Sequence, residues 1–440
     1  MTETLLFIVP IMPGRGGNGL AMRAAALLDA LSCQFDVTLY VVPVAGGPTH
    51  VPEDVAARTM RVCVLDRAAG QETQAGLIER LADGAARHRH RLAYPRPWAC
   101  RFSGAVAGRQ MATWLNGAAF DAVLAMRLYL APLVASFLHD ATPYNAPLAK
   151  PRALLDLDED DAHVQAQLAQ LHERHGQTDA ADLARAESGK YARLAQVSLP
   201  LFDVVLTASA DDASQLAAQH PGPRFAAVPN SYSPARGSAP SRTRLPGTPL
   251  RLLLVGNFDY LPNRDAARHL VTDIVPLFRS HDMPVAVDIV GAGGTASMLA
   301  PTTSTGPPQH VGVTVHGAVP TLAPWYGRAD IAVVPLRAGG GTRIKILEAF
   351  AHHVPVVSTD VGAAGLAVTR GEHLLLADNP ASFVQACARL ARDPALRAHL
   401  VANAAMFLRE YHAPACVEAA LRAALVKTVA TDCRPMPQCK

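Results

Sequence analysis

RAGGGTRIKILEAF, Arg337 to Phe350, is the stretch on which the reading of this 440-residue chain turns. Three glycines, Gly339, Gly340 and Gly341, precede a predicted helix with Thr342 as its N-cap and Arg343 as its first residue. The helix is expected to end near His353, because Pro355 disfavours helical backbone at Val354. Arg343 and Lys345 then fall in the first turn, where the positive end of the helix dipole makes cations unfavourable. A bound anion resolves the conflict. Free N–H groups and the dipole attract it, and glycine lets it approach the backbone. Arg offers a planar fork for phosphate oxygens and Lys a point charge, so a diphosphate is the natural guest. Glu348 is placed to accept from ribose hydroxyls. The alternative is a surface pair with Lys345 worth roughly a few tenths of a kcal/mol.

Outward from this loop, the chain alternates short apolar runs with helical stretches. TLLFIVPIMP, FDVTLYVVP, RVCVLD, FDAVLAMR, RALLDLDEDD, FDVVLTAS and RFAAVPNSY read as strands of one half. A long helical stretch is predicted over residues 162–198. Ser233 to Pro249, rich in Pro, Gly, Ser and Arg, reads as a linker. After it LRLLLVGNF, a helix over 264–278, VAVDIVGAG, VTVHG, IAVVPL, VPVVSTD and HLLLAD repeat the βα pattern, and the last 60 residues or so look helical. The expected organisation is an α/β chain of two doubly wound, Rossmann-like domains facing a cleft. Residues 1–235 form the first, 236–249 the linker and 250–440 the second.

The bulk numbers agree. Half of the residues are hydrophobic and 18% are charged, as in a folded soluble protein. The net charge of +3 lacks the concentrated basic face of a nucleic-acid binder. Seven scattered cysteines form no C-x-x-C pair, so zinc and thioredoxin-like chemistry are unsupported and buried free thiols are expected. The N-terminus has no basic region ahead of its apolar run, and no stretch reaches the ~20 apolar residues of a membrane span. A cytoplasmic protein is expected, with the inner face of the cell membrane as its one membrane contact.

Gly14 to Gly19 matches G-x-G-x-x-G, between a strand and a helix. The acid that should close the second strand is missing: that strand runs into Pro43, and Asp36 precedes it. NAD or FAD is therefore disfavoured. A loop that lets the helix approach a ligand or the other domain fits better.

GGGTRIKILEAFAHHVPVVSTDVGAAGL resembles the C-terminal donor-site signature of GT-B glycosyltransferases, specifically the family 4-like group. LLLVGNFDYLPNRDAARHL, VDIVGAG, VTVHGAV, WYGRADIAVVPL and HLLLADNPASFVQACARLARDPALR follow in the order of that family, over about Leu250 to Leu400. The first half shares only the pattern. The resemblance implies a GT-B fold and a hexosyltransferase-type enzyme that moves a sugar from a nucleotide-diphosphate sugar with retention. It implies no metal and no cofactor beyond the donor. The acceptor would be a sugar or lipid-linked molecule of polysaccharide or glycoconjugate assembly. By motif position, Arg343 and Lys345 would hold the diphosphate, with Gly340, Gly341, Thr342 and Ile344 around it. Glu348 would take the ribose, and His316, Gly317 and Val319 would touch the base. Gly16 and Gly17 would approach from the first domain, Arg127 would contact the sugar or its phosphate, and Asn257 would line the donor side.

Two departures stand out. The family often has two glutamates spaced E-x7-E; Glu348 is the second, and the first falls at Gly340. The Arg and Lys usual after the first strand of the second domain are reduced to Arg264, beside Asn257, Asp259 and Asn263. The alternatives are another GT-B activity, such as a nucleotide-sugar epimerase or a sugar-phosphate synthase, and a non-catalytic nucleotide-sugar-binding subunit. Two further stretches invite function. AARHRHRLAYPRPWACR suits an anionic membrane face or a solvated loop. DLDEDD resembles a metal cluster but is better placed to face a helix N-terminus.

Overall fold

The computed structural model describes residues 2–16, 18–44, 46, 50–140, 150–232, 247–279, 283–299, 312–341 and 343–426. The strands of the first domain are β1 (Glu3–Val9), β2 (Phe35–Val41), β3 (Arg61–Val64), β4 (Ala122–Met126), β5 (Arg152–Asp158), β6 (Val204–Thr207) and β7 (Arg224–Ala227). They form a parallel sheet in the order β3-β2-β1-β4-β5-β6-β7. The second domain has β8 (Leu250–Val255), β9 (Val285–Val290), β10 (Val313–Val315), β11 (Ile331–Val334), β12 (Val356–Ser358) and β13 (Leu375–Leu376). These are also parallel, in the order β10-β9-β8-β11-β12-β13. The order reverses between β1 and β4 in one sheet and between β8 and β11 in the other. Open α/β sheets bind ligands beyond the carboxyl ends of such strands.

The continuous apolar runs follow from burial on both faces. In β1, Leu6 and Ile8 enter one core while Leu5, Phe7 and Val9 enter the other. In β8, Leu252 and Leu254 face away from Leu253 in the same manner. Five free thiols, Cys33, Cys63, Cys100, Cys387 and Cys416, lie among the described residues, and only Cys100 and Cys387 are buried.

The helices that shape the site are α1 (Gly19–Ser32), α2 (Gly84–Ala93), α3 (Asp161–Arg174), α4 (Thr178–Ser198), α5 (Leu261–His269), α6 (Ile344–Ala351), α7 (Pro380–Arg392), α8 (Pro394–Tyr411) and α9 (Pro414–Leu425). The single stretch expected over 162–198 is two helices. Gly176, at φ +66°, turns the chain so that α4 folds back on α3. The helix expected over 264–278 starts earlier, at Leu261, and passes through a π-helical segment, Leu270–Ile274.

One domain boundary needs correction. The expected linker lies outside the described residues as far as 246, but α9 belongs to the first domain and not to 250–440. Its Val417, Leu421, Ala424 and Leu425 join the core made by Ala24, Leu27, Leu28 and Leu31 of α1. An amphipathic helix advertises an apolar face but not which domain will cover it. The chain thus crosses between the domains twice, and the two crossings touch. His412 donates from Nδ1 to the Asn230 carbonyl at 2.6 Å, and the Tyr232 N–H donates to the His412 carbonyl at 3.3 Å.

A buried ion pair ties α1 to the sheet. Arg23, 2% exposed, donates to both oxygens of Asp156 at 2.8 and 2.5 Å, and to Val228 O and Asn230 Oδ1 at 3.0 Å each. Burial would lower the pKa of Arg23, but the charges of Asp156 and Asp158 outweigh it and hold it above the ordinary value. Arg23→Met leaves the Asp156 carboxylate alone in the interior, which costs about 3–5 kcal/mol. Chemical denaturation of the variant is expected to show that loss in the transition of the first domain. An unchanged midpoint would mean the pair contributes nothing net.

Candidate functional site

The cleft between the carboxyl ends of β1, β4 and β5 on one side and β8, β9 and β11 on the other is bridged by α3. Gln167 accepts from the Gly339 N–H at 2.7 Å, and His175 Nε2 lies 2.8 Å from Asp265 Oδ1 on α5. Asp265 is fixed in turn by Arg337, through Nε at 2.9 Å and a second nitrogen at 2.5 Å. A Cβ on Gly340 would collide with the Val164 methyl and stand 2.7 Å from Glu159 Oε2. Gly19, at the start of α1, faces Ile344 at the start of α6, 3.2 Å from the position of its Cβ. The opening glycine loop therefore does approach the other domain. Asn18 caps α1 by accepting from Leu20 N–H at 2.9 Å. Gly16 has open space around it, and Gly17 lies outside the described residues.

The glycine loop is built differently from expectation. The N-cap of α6 is Arg343, so the helix begins one residue late; Thr342 lies outside the described residues. The Arg343 side chain is buried and turns back onto its own loop. It donates to Gly340 O, to Gly339 O at 2.7 Å and to Val361 O at 3.2 Å. Gly339 and Gly341 hold φ of +122° and +67°, which only glycine adopts readily. Those angles turn carbonyls toward the guanidinium, which is thereby spent on shaping the loop.

Lys345 remains the cation of the crevice. Its Nζ donates to Asn263 Oδ1 at 2.6 Å, and Asn263 donates to Asn257 O at 2.7 Å. Asn257 in turn accepts from Asp259 N–H at 3.0 Å. Asn263 thus links two expected site residues, a role no spacing in the sequence revealed. Arg264 braces the same loop from below, donating to Phe258 O at 3.0 Å and Asp259 O at 2.7 Å. Desolvation, helped by Arg343, pushes Lys345 down to about 7. Desolvation also pushes Glu348 up to about 7, against the hydrogen bonds of Tyr326 and Tyr232.

Glu348 accepts from Tyr326 OH at 3.2 Å, and the Tyr326 ring stacks on His352 at 4.8 Å. The neighbouring Trp325 lies 4.0 Å from the His316 ring and beneath Arg328 at 3.7 Å. His316 Nε2 is 2.7 Å from Asp288, which also accepts from Arg328 at 3.1 Å. Gly317 accepts from Gly291 N–H at 2.9 Å, and Val319 packs on the core beneath. Consecutive Trp325 and Tyr326 therefore connect the residues expected at the base to the residue expected at the ribose. Neither aromatic was legible as part of the site.

Arg127 is not a free cation. It pairs with Glu159 at 2.8 Å, Asp158 at 3.5 Å and Asp161. Burial pushes Asp161 up to about 7, although Arg127 opposes it. Arg127 and Asp158 both hold positive φ, +74° and +63°, at adjacent strand ends. Strained backbone of this kind gathers at functional sites. The acidic run divides its charge: Asp156 on Arg23, three carboxylates on Arg127, and Asp160 capping α3 through Ala162 and His163 N–H. Among the described residues no group of three His, Cys, Asp or Glu is arranged to hold a metal.

Residues 249–393 match the family model Glycosyl transferases group 1. No curated protein matches the sequence. The fold is similar to that of sucrose-phosphate synthase from Thermosynechococcus elongatus, with TM-score 0.65, 15% identity, and 96% of this chain and 98% of that one covered. A glycosyltransferase from Rickettsia africae has TM-score 0.60 and 8% identity, over 96% and 98%. Anabaena HepE, solved in complex with UDP and glucose, has TM-score 0.60 and 13% identity, over 96% and 99%. The fold is GT-B. The likeness to GT-B glycosyltransferases drawn from the sequence is borne out in the fold, and the match to the family model lies in the second domain.

The contact between α3 and the glycine loop is testable. Gly340→Ala places a methyl against the stiff Val164 side chain, an overpacking that costs about 1–3 kcal/mol if the domains stay together. The expected result is a larger radius of gyration in small-angle scattering, restored by adding Val164→Ala. No change in the single variant would show that α3 does not rest on the loop in solution.

Proposed function

We propose that this protein is a retaining, metal-independent glycosyltransferase that takes its sugar from a nucleoside-diphosphate donor. One observation carries the assignment. The glycine loop, the start of α6 and Lys345 form an anion cradle, continued by Glu348, Tyr326, Trp325 and His316 in the order that diphosphate, ribose and base require. Arg343 shapes the loop, and Lys345 meets the charge that builds on the diphosphate as the sugar–phosphate bond breaks. Preorganised charge of this kind lowers the barrier without reorganisation at the moment of reaction. It does the work a metal would do elsewhere. The base stacks near His316 and Trp325, and Glu348 takes the ribose hydroxyls in place of the tyrosine phenols. HepE binds UDP, which makes UDP the first probe.

The acceptor enters from the first domain, over the ends of β4 and β5, and belongs to polysaccharide or glycoconjugate assembly. Helix α2, with Arg87, Arg89 and Arg91 and not one buried residue, would meet an anionic lipid surface at the inner face of the cell membrane. No helix among the described residues is long and apolar enough to cross one.

The test is a thermal-shift panel with UDP, GDP, dTDP, CDP, ADP and NAD. A ligand at about 100 times its Kd adds ~2.7 kcal/mol of stability. One nucleoside diphosphate is expected to give a shift that Lys345→Ala removes. A shift with NAD alone, or with none, would end the donor assignment.

A pH dependence follows. Lys345, with its pKa at about 7, is mostly neutral at pH 8. A diphosphate favours its charged form and raises that pKa. Binding at pH 8 is therefore expected to take up protons, and affinity to fall as pH rises above 7. Calorimetry in buffers of different ionisation enthalpy reads the uptake directly. Uptake that persists in Lys345→Met would assign it elsewhere.

A further inference from the structure

The loop that would receive the donor carries no acid of its own at Gly340, yet a carboxylate stands there. It comes from the opposite domain. Glu159 Oε2 lies 2.7 Å from the position of a Gly340 Cβ and 3.4 Å from that of Gly341. Arg127 holds the same side chain through its other oxygen at 2.8 Å, and Glu159 is largely buried. We propose that Glu159 is a positioning residue for the transferred sugar: its carboxylate accepts from the sugar's hydroxyls, so that the sugar subsite is assembled across the cleft.

The proposal rests on the donor assignment above and adds to it which half of the donor Glu159 meets. Charge decides between the halves. Arg127 is the guanidinium to which Glu159, Asp158 and Asp161 all turn. Carboxylates outnumber cations there, which repels phosphate oxygens. On the other side of the loop the α6 N-terminus and Lys345 attract them. A donor has one anionic part and, joined to it, one neutral part rich in hydroxyls. The anionic part belongs on the α6 side and the neutral part under Glu159. Arg127 fixes the carboxylate so that little rotamer freedom remains to be lost on binding. The absence of a side chain at Gly340 then has a reason, because a side chain there would fill the space Glu159 and Val164 occupy.

The experiment compares UDP with UDP-glucose, UDP-galactose and UDP-N-acetylglucosamine by calorimetry, on the full chain and on Glu159→Gln and Glu159→Asp. The wild type is expected to bind UDP and to bind at least one UDP-sugar more tightly. Glu159→Gln is expected to keep UDP affinity within about twofold and to lose about 10- to 100-fold for that UDP-sugar, the range for a hydrogen bond to a charged acceptor. Glu159→Asp keeps the charge but not the reach and is expected to fall between. Unchanged UDP binding also certifies that each variant is folded. If Glu159→Gln binds the UDP-sugar as the wild type does, the proposal falls alone. Tighter binding of UDP itself would overturn it differently, by making Glu159 a stand-in anion in the phosphate cradle. If the wild type binds neither UDP nor any UDP-sugar, the proposal falls together with the UDP form of the donor assignment.

Discussion

The contact of α3 with a loop that has no side chain at residue 340 is the constraint on which the rest of this structure depends. Val164 and Glu159 occupy the volume a side chain would fill there, and Gln167 takes the N–H of Gly339. Two sheets that share no strand are thereby held with their carboxyl edges toward one another. Lys345 and Glu348 follow that contact directly, on the helix that the loop starts. A methyl group is enough to disturb such a fit, because packed interiors have little slack.

Charge is managed around the same contact in three tiers. Arg23 and Asp156 neutralise each other fully and serve the fold. Arg127 is over-matched by acids, and Arg343 is absorbed by carbonyls of its own loop. Lys345 and Glu348 lie between protonation states, both near 7, as does Asp161 beside Arg127. Groups poised in this way respond to a ligand's charge more readily than groups already paired with carboxylates or carbonyls. The division separates residues that make the site from residues that use it.

Much of the architecture is readable in the sequence, for a physical reason. Parallel strands buried on both faces are written as unbroken apolar runs, and Gly and Pro punctuate them. The glycine loop was legible because cations at a helix start are anomalous. Their destination was not: the sequence suggested that Arg343 and Lys345 share one anion, while backbone carbonyls claim Arg343 first. Tyr232 and the consecutive Trp325 and Tyr326 carried no signal as site residues, and Asn263 none as the partner of Lys345, since each looks like ordinary core or turn chemistry. Glu159 was hidden within an acidic run whose members serve three different partners. The placement of α9 was illegible because burial is a property of two surfaces, and a sequence displays one at a time.

The paired crossings at Asn230 and His412 bear on how the molecule can move as a machine. A single tether would leave one lobe free to swivel, slide and twist against the other. Two chain segments hydrogen-bonded to each other at one spot act as a common pivot, and the lobes can open about it like covers about a spine. Sliding and twisting would shear the bond from His412 to the Asn230 carbonyl, while opening leaves it intact. An opening that pivots at this spot keeps both bonds, and the same faces would meet again when the lobes close.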